Sequence, residues 1–138
     1  MKTSLKIRAG AAAVFALAVT GAAAGMTKEE YKAKKAAIAT EYQEERQKCG
    51  VRYGNSLDLC VARAHGVRNV ANAELEAEYK PGNAANYKAA VARVRADYAI
   101  AKEDCDEQKG AMRKKCLANA KATMERALAE AKARSHSG

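Results

Sequence analysis

The sequence predicts an all-α protein of two tandem helical hairpins, with four helices arranged as an antiparallel bundle or an extended pair and stapled by two disulfides. Three observations support this class. Alanine, lysine, glutamate and arginine dominate the 138 residues, and these residues favour helix. A long block of the sequence recurs 56 residues later. Each copy of that block carries two of the four cysteines.

Residues 1–24 predict a cleavable secretory signal peptide. Basic residues precede a short apolar run at 11–19, and Ala22 and Ala24 occupy the small-residue positions of a cleavage site. The run is shorter than the roughly 20 residues that span a bilayer. The first cysteine, Cys49, lies too late for lipid attachment at the cleavage point. We therefore expect a periplasmic or secreted chain, cleaved after Ala24, with no membrane span after cleavage.

The net charge is +9, from 25 basic and 16 acidic residues, and three of the basic residues fall in the leader. The mature chain is therefore only moderately basic. Its small basic clusters, such as 113–115, have acidic neighbours, and export separates the chain from cytoplasmic nucleic acid. We therefore expect no nucleic-acid partner. The expected partner is a protein or envelope component, whose identity the sequence does not give.

The repeat defines the domain organisation. It predicts a first helical unit at 25–80, a turn at 81–83 and a second helical unit at 84–138. Alanines could align by chance in such a composition, but tyrosines, cysteines and glycines could not. The matched pairs without a gap are Tyr31 and Tyr87, Tyr42 and Tyr98, Cys49 and Cys105, Gly54 and Gly110, and Cys60 and Cys116.

The first helix is predicted to begin after Thr27, which forms a capping box with Glu30. Tyr31, Tyr42 and Cys49 then recur at helical spacing on one face, which indicates packing residues. The second unit repeats this stripe.

Turn residues separate the predicted helices. Gly54 and Asn55 form the first turn, with Asn55 expected to cap the second helix. Pro81 and Gly82 interrupt the helix between the units. Gly110 marks the corresponding turn of the second unit.

The four cysteines, in an exported chain, predict two disulfides. Pairing within each unit requires a hairpin, which would place Cys49 opposite Cys60, and Cys105 opposite Cys116. Pairing between units requires one long helix per unit and would join Cys49 to Cys116, and Cys60 to Cys105. The glycines at the turn are costly inside a helix, so the within-unit pairing is favoured, and the other remains an alternative.

The pattern Cys49…Gly54-Asn55…Asp58…Cys60, followed by a second copy that keeps Gly110, resembles a group of small uncharacterised exported helical proteins of Gram-negative bacteria. In that group a duplicated Cys…Gly-Asn…Cys helical hairpin is typical. The resemblance covers nearly the whole mature chain. It implies a helical hairpin fold and no particular activity.

The sequence predicts a non-enzymatic structural or interaction protein that binds a client protein or an envelope component. No catalytic residue, cofactor site or metal site is predicted, because the eleven-residue cysteine spacing matches neither zinc nor redox motifs. The two histidines, His65 and His136, are distant in sequence, and His65 is expected at the surface. The alternative is a stress protein of the periplasm that binds a metal or small ligand inside the bundle.

Overall fold

The computed structural model describes residues 25–136, so the predicted signal peptide lies outside the described residues. Four long helices occupy nearly all of this range, and no described residue lies in a strand. The helices are α1 (Lys28–Cys49), α2 (Asn55–Tyr79), α3 (Asn83–Asp106) and α4 (Gly110–His136).

The capping box predicted at the start of α1 is present. The Thr27 hydroxyl accepts a hydrogen bond from the Glu30 backbone N–H at 3.1 Å, and the Glu30 carboxylate accepts one from the Thr27 backbone N–H at 2.7 Å. Hydrogen bonds to a carboxylate favour its charged form. The pKa of Glu30 is accordingly lowered, mainly by the hydrogen bond from the Thr27 backbone and next by the hydrogen bond from the Thr27 side chain.

Glycines with a positive φ start the second helix of each hairpin. Gly54 has φ 55° and Gly110 has φ 58°, a left-handed conformation that costs a residue with a Cβ about 1 kcal/mol. The expected cap by Asn55 is wrong. Gly54 is the N-cap residue, Asn55 is already helical, and the Asn55 amide instead donates to the Glu107 carboxylate at 3.4 Å.

Each disulfide closes its own hairpin. Cys49 bonds to Cys60 with their Cα atoms 5.7 Å apart, and Cys105 bonds to Cys116 with a Cα separation of 5.6 Å. Both separations lie in the usual range for disulfides. The favoured within-unit pairing is therefore the one in this structure, and the pairing between units is absent.

The four helices form an open antiparallel layer. Within the described range, α1 packs on α2, α2 on α3 and α3 on α4, and α1 and α4 do not pack on each other. The two hairpins thus lie side by side through their inner helices, α2 and α3, and do not close into a four-helix bundle. Both disulfide-linked turns lie at the same end of the layer, which places Asn55 beside Glu107.

The core is small because alanine fills most contact positions. Helices α2 and α3 approach closely at Gly66, where a Cβ would lie 3.0 Å from the Cβ of Ala96. The hydrophobic side chains that are buried within the described chain are Cys49, Ala64, Leu75, Cys105 and Ala131.

Candidate functional site: an open groove across the helical layer

A groove of about 530 Å³ runs between the inner helices α2 and α3. Its apolar floor includes Val67, Val70 and Ile100, and Val67 remains 55% exposed. Burying apolar surface is favourable by about 25 cal/mol of free energy for each Å² removed from water. The groove therefore offers apolar area that this chain leaves uncovered. Its lining residues are Arg63, Gly66, Val67, Val70, Ala71, Glu74, Arg93, Ala96, Asp97 and Ile100.

The groove continues onto both outer helices. Arg63 and Val67 also line a cavity of about 420 Å³ between α1 and α2, and Asp97 also lines one of about 230 Å³ between α3 and α4. Because neighbouring cavities share residues, they open on the same face of the layer. We call this face the groove face, and it spans all four helices.

The contact between Gly66 and Ala96 positions the groove. Since neither residue has a large side chain, the two helices approach closely at this point, and the larger Val67, Val70 and Ile100 side chains lie around it. The larger apolar residues along this narrow base line a channel between the two helices.

Charged residues flank the apolar floor. Arg93 on α3 forms an ion pair with Glu74 on α2, which joins the two helices across the groove. Arg63 and Asp97 are exposed, and neither forms an ion pair with another described residue. One positive and one negative group are therefore free to contact a partner that occupies the floor.

Tyr42 and His65 connect α1 to α2 away from the turn. The Tyr42 hydroxyl lies 3.1 Å from His65 Nε2, and the Arg68 guanidinium lies 4.4 Å from the centre of the Tyr42 ring. His65 was expected at the surface, and it is half-buried instead. Burial, followed by the positive charges of Arg68 and Arg46, lowers the pKa of His65.

The far end of the first hairpin is closed by aromatic packing. The Tyr31 and Tyr79 rings stack with their centres 4.4 Å apart, and the Tyr31 hydroxyl donates to the Glu76 carboxylate. Lys34 also pairs with Glu78 at 2.7 Å. The second hairpin lacks this closure, because Ser135 stands 56 residues after Tyr79.

The four cysteines are all in disulfides, so none of them offers a thiolate to a ligand. Within residues 25–136, no three or more His, Cys, Asp or Glu side chains gather in a group that could hold a metal ion. None of the four described helices is long and apolar enough to cross a membrane.

Sequence reasoning missed the groove floor, although a signal for it exists. Val67, Val70, Ala71 and Glu74 follow the i, i+3, i+4, i+7 spacing of one helix face, and Arg93, Ala96, Asp97 and Ile100 repeat it. The tyrosine and cysteine stripe was more conspicuous because it is duplicated. The groove pattern belongs to the contact between the units, and its apolar residues Val67 and Val70 correspond to the polar Thr123 and Arg126 in the second unit.

The fold and the groove together define a class of protein: an all-α layer of two self-closed hairpins with an open face. No protein-family model, curated protein or solved structure matches the chain.

Proposed function

We propose that the protein is an exported, non-enzymatic interaction protein that binds an apolar helical segment of a client or envelope protein in the groove between α2 and α3. The observation that carries the proposal is the exposed apolar floor, with Val67 at its centre. Exposed apolar grooves with a polar rim commonly mark binding sites for proteins.

The groove favours a helix as its occupant. A helix presents apolar residues at i, i+3, i+4 and i+7, and it buries them in a channel of this kind. Arg63 and Asp97 flank the floor with opposite charges, so they can pair with an acidic and a basic residue beside the apolar stripe. The expected partner segment is therefore amphipathic, with both signs of charge next to its apolar face.

The disulfides have a clear role in this proposal. They hold α1 on α2 and α4 on α3 at one end of the layer, so the outer helices cannot swing across the groove there. A binding surface that is rigid before contact loses less conformational entropy on binding. The staples therefore serve affinity as well as stability.

A pair of positions on α2 tests the proposal. Val67 lies on the groove floor, whereas Asn69 is exposed on the same helix about 160° around the axis from it. A photo-crosslinking amino acid at position 67 should capture a discrete partner in the envelope of a Gram-negative host. The same amino acid at position 69 should capture little or none of it.

The affinity for the captured partner then gives a quantitative check. Val67→Asp should weaken binding at least tenfold, because a carboxylate would be buried against apolar side chains. Asn69→Asp introduces the same charge and should change binding less than twofold. Equal crosslinking at both positions, or equal affinity of both variants, would contradict the groove as the binding site. Matching thermal melts of the two variants would exclude misfolding.

The exported location has its own test. Amino-terminal sequencing of the chain from a periplasmic extract should begin at Gly25. An uncleaved chain that begins at Met1 and remains in the cytoplasm would contradict export.

A further inference from the structure

The net positive charge of the described chain is concentrated on one outer helix, α4. Helix α4 carries seven Lys or Arg residues and two acidic residues, whereas α1, the other outer helix, carries six and five. Both helices pack on a single neighbour and expose a wide outer face. An exposed face needs charged residues for solubility, but positive and negative residues serve this purpose equally well. The positive excess of α4 is therefore not explained by its position in the layer.

The duplication makes the bias more specific. Helix α4 is the repeat counterpart of α2, so each of its basic residues has an equivalent 56 positions earlier. None of these equivalents is lysine or arginine. In order along α2 they are Leu57, Asp58, Leu59, His65, Val70, Glu76 and Glu78. The basic charge is thus a property of α4 and not of the repeated unit.

Five of the seven basic residues of α4 lie on the face opposite to α3, whereas Arg113 pairs with Asp106 of α3 and Arg134 lines a cavity between α3 and α4. Lys114, Lys121 and Lys132 follow one another at seven and eleven residues, which puts them in one row along the helix. Lys115 and Arg126 form a second row about 120° around the axis, and all five residues are exposed. The strip between the rows is mostly alanine. Its exposed alanines are Ala111, Ala118, Ala122 and Ala129.

The two acidic residues of α4, Glu125 and Glu130, offset the five basic residues of these rows only in part. Glu125 lies on the same face and pairs with Lys121 at 3.8 Å. Lys114, Lys115 and Lys132 form no ion pair with another described residue. We call the two basic rows and the alanine strip between them the α4 outer face.

We propose that the α4 outer face binds the surface of an anionic phospholipid bilayer, with the helix lying flat on the headgroups. At 1.5 Å per residue, its 27 residues are about 40 Å long. The small alanine side chains let the axis of α4 lie close to the membrane surface, and the flexible lysine side chains on both sides of the strip reach the lipid phosphates. The surface contact does not depend on an occupant in the groove.

A bilayer fits this face better than a nucleic acid does. Helix α4 contains no Phe, Tyr or Trp on which a base could stack. Four of the five residues in the rows are lysine, and arginine is the residue that commonly reads base edges. An exported chain would also meet anionic lipid before nucleic acid.

The contact should be peripheral and reversible. Of the large apolar residues of α4, Leu117, Met124 and Leu128 are partly buried, and Met112 in the first turn is 65% exposed, so the helix presents no continuous apolar face to the acyl chains. Binding would therefore depend on charge, and salt should weaken it strongly. This separates the proposed mode from an amphipathic helix that buries its apolar face in the lipid.

Vesicle co-sedimentation tests the proposal on the protein with both disulfides intact. Vesicles of phosphatidylcholine with about a third phosphatidylglycerol should bind the protein at low salt, and pure phosphatidylcholine vesicles should not. Raising NaCl to a few hundred millimolar should release it. Changing Lys114, Lys121 and Lys132 together to Gln should reduce the affinity for anionic vesicles at least tenfold.

A charge-matched control separates the α4 outer face from net charge. Lys28, Lys32 and Lys88 are exposed on other helices, and changing them together to Gln removes the same three charges. This variant should bind within threefold of the unchanged protein. Equal loss in the two variants, no binding to anionic vesicles, or tighter binding to a DNA duplex than to the vesicles at the same salt would each overturn the proposal.

Discussion

Removing the disulfides one at a time tests how much of the fold depends on them. Each bond closes a loop with a sequence separation of 11 residues. Loop-closure entropy for a loop of that length gives about 3 kcal/mol of stabilisation. Cys49 and Cys105 are 1% exposed, so alanine, which removes only a small buried atom, is the suitable replacement. We expect the Cys49→Ala/Cys60→Ala variant to lose about 3 kcal/mol.

The expected loss is large relative to the total stability. Domains are typically stable by about 5–15 kcal/mol, and the few buried side chains of this layer place it near the lower limit. With a urea m value of about 1.5 kcal/mol per molar, 3 kcal/mol moves the midpoint by about 2 M. Changing all four cysteines to alanine should remove about 6 kcal/mol and leave the chain largely unfolded at 25 °C.

Urea titrations followed by far-ultraviolet circular dichroism would measure these losses in the unchanged protein, the two single-disulfide variants and the four-cysteine variant. The reduced, unchanged protein should behave like the four-cysteine variant. Midpoints within about 0.3 M of each other for all forms would refute the reasoning, since they would show that packing alone holds the hairpins.

Three further predictions concern single contacts. Tyr31→Ala should cost about 1 kcal/mol more than Tyr87→Ala in urea titrations, because only Tyr31 stacks on a second ring, and equal costs would contradict this. Gly66→Ala should be destabilising because its Cβ would lie 3.0 Å from that of Ala96, and adding Ala96→Gly should restore stability; the same midpoint for both variants would contradict the close contact. The pKa of His65 is lower in the folded chain than the ordinary value of about 6.5. As the pH falls, the unfolded chain therefore binds a proton at His65 before the folded chain does, so thermal stability should decline between pH 7.5 and 5.5. His65→Gln should show a smaller decline, and an identical decline would exclude His65 as its cause.

The sequence contains enough information for the hairpins. The capping box at Thr27 depends on residues three apart, and the turn at Gly54 requires a residue that tolerates positive φ. The costs of glycine inside a helix then favoured pairing Cys49 with Cys60, which is the pairing observed. All of these determinants are local, which is why they could be predicted.

The cap assigned to Asn55 failed for a local reason that the sequence does not reveal. Two neighbouring residues, Gly54 and Asn55, could each occupy the N-cap position. Gly54 takes it, Asn55 enters the first helical turn, and the Asn55 amide is then free to bond to Glu107. The bond to the other unit depends on the two turns lying at one end of the layer.

The half-burial of His65 could have been anticipated from the disulfide register. Tyr42 lies seven residues before Cys49, and Val67 lies seven residues after Cys60, so an antiparallel hairpin places the two at the same level. His65 is two residues from Val67 and therefore lies within one helical turn of Tyr42. The groove is different, because it depends on how α2 rotates against α3. The contact of Gly66 with Ala96 sets that rotation, and nothing in the repeat predicts it.

The central claim is that two self-closed hairpins lie side by side and leave the face between them open, so disulfide connectivity is its most direct test. Trypsin under non-reducing conditions separates the four cysteines, because a basic residue lies between the members of each pair. Mass spectrometry should find peptide 49–52 linked to 53–63, and peptide 103–109 linked to 116–121. Peptide 49–52 linked to 116–121 would contradict the account, since that bond would tie α1 to α4 and replace the open layer with a different fold.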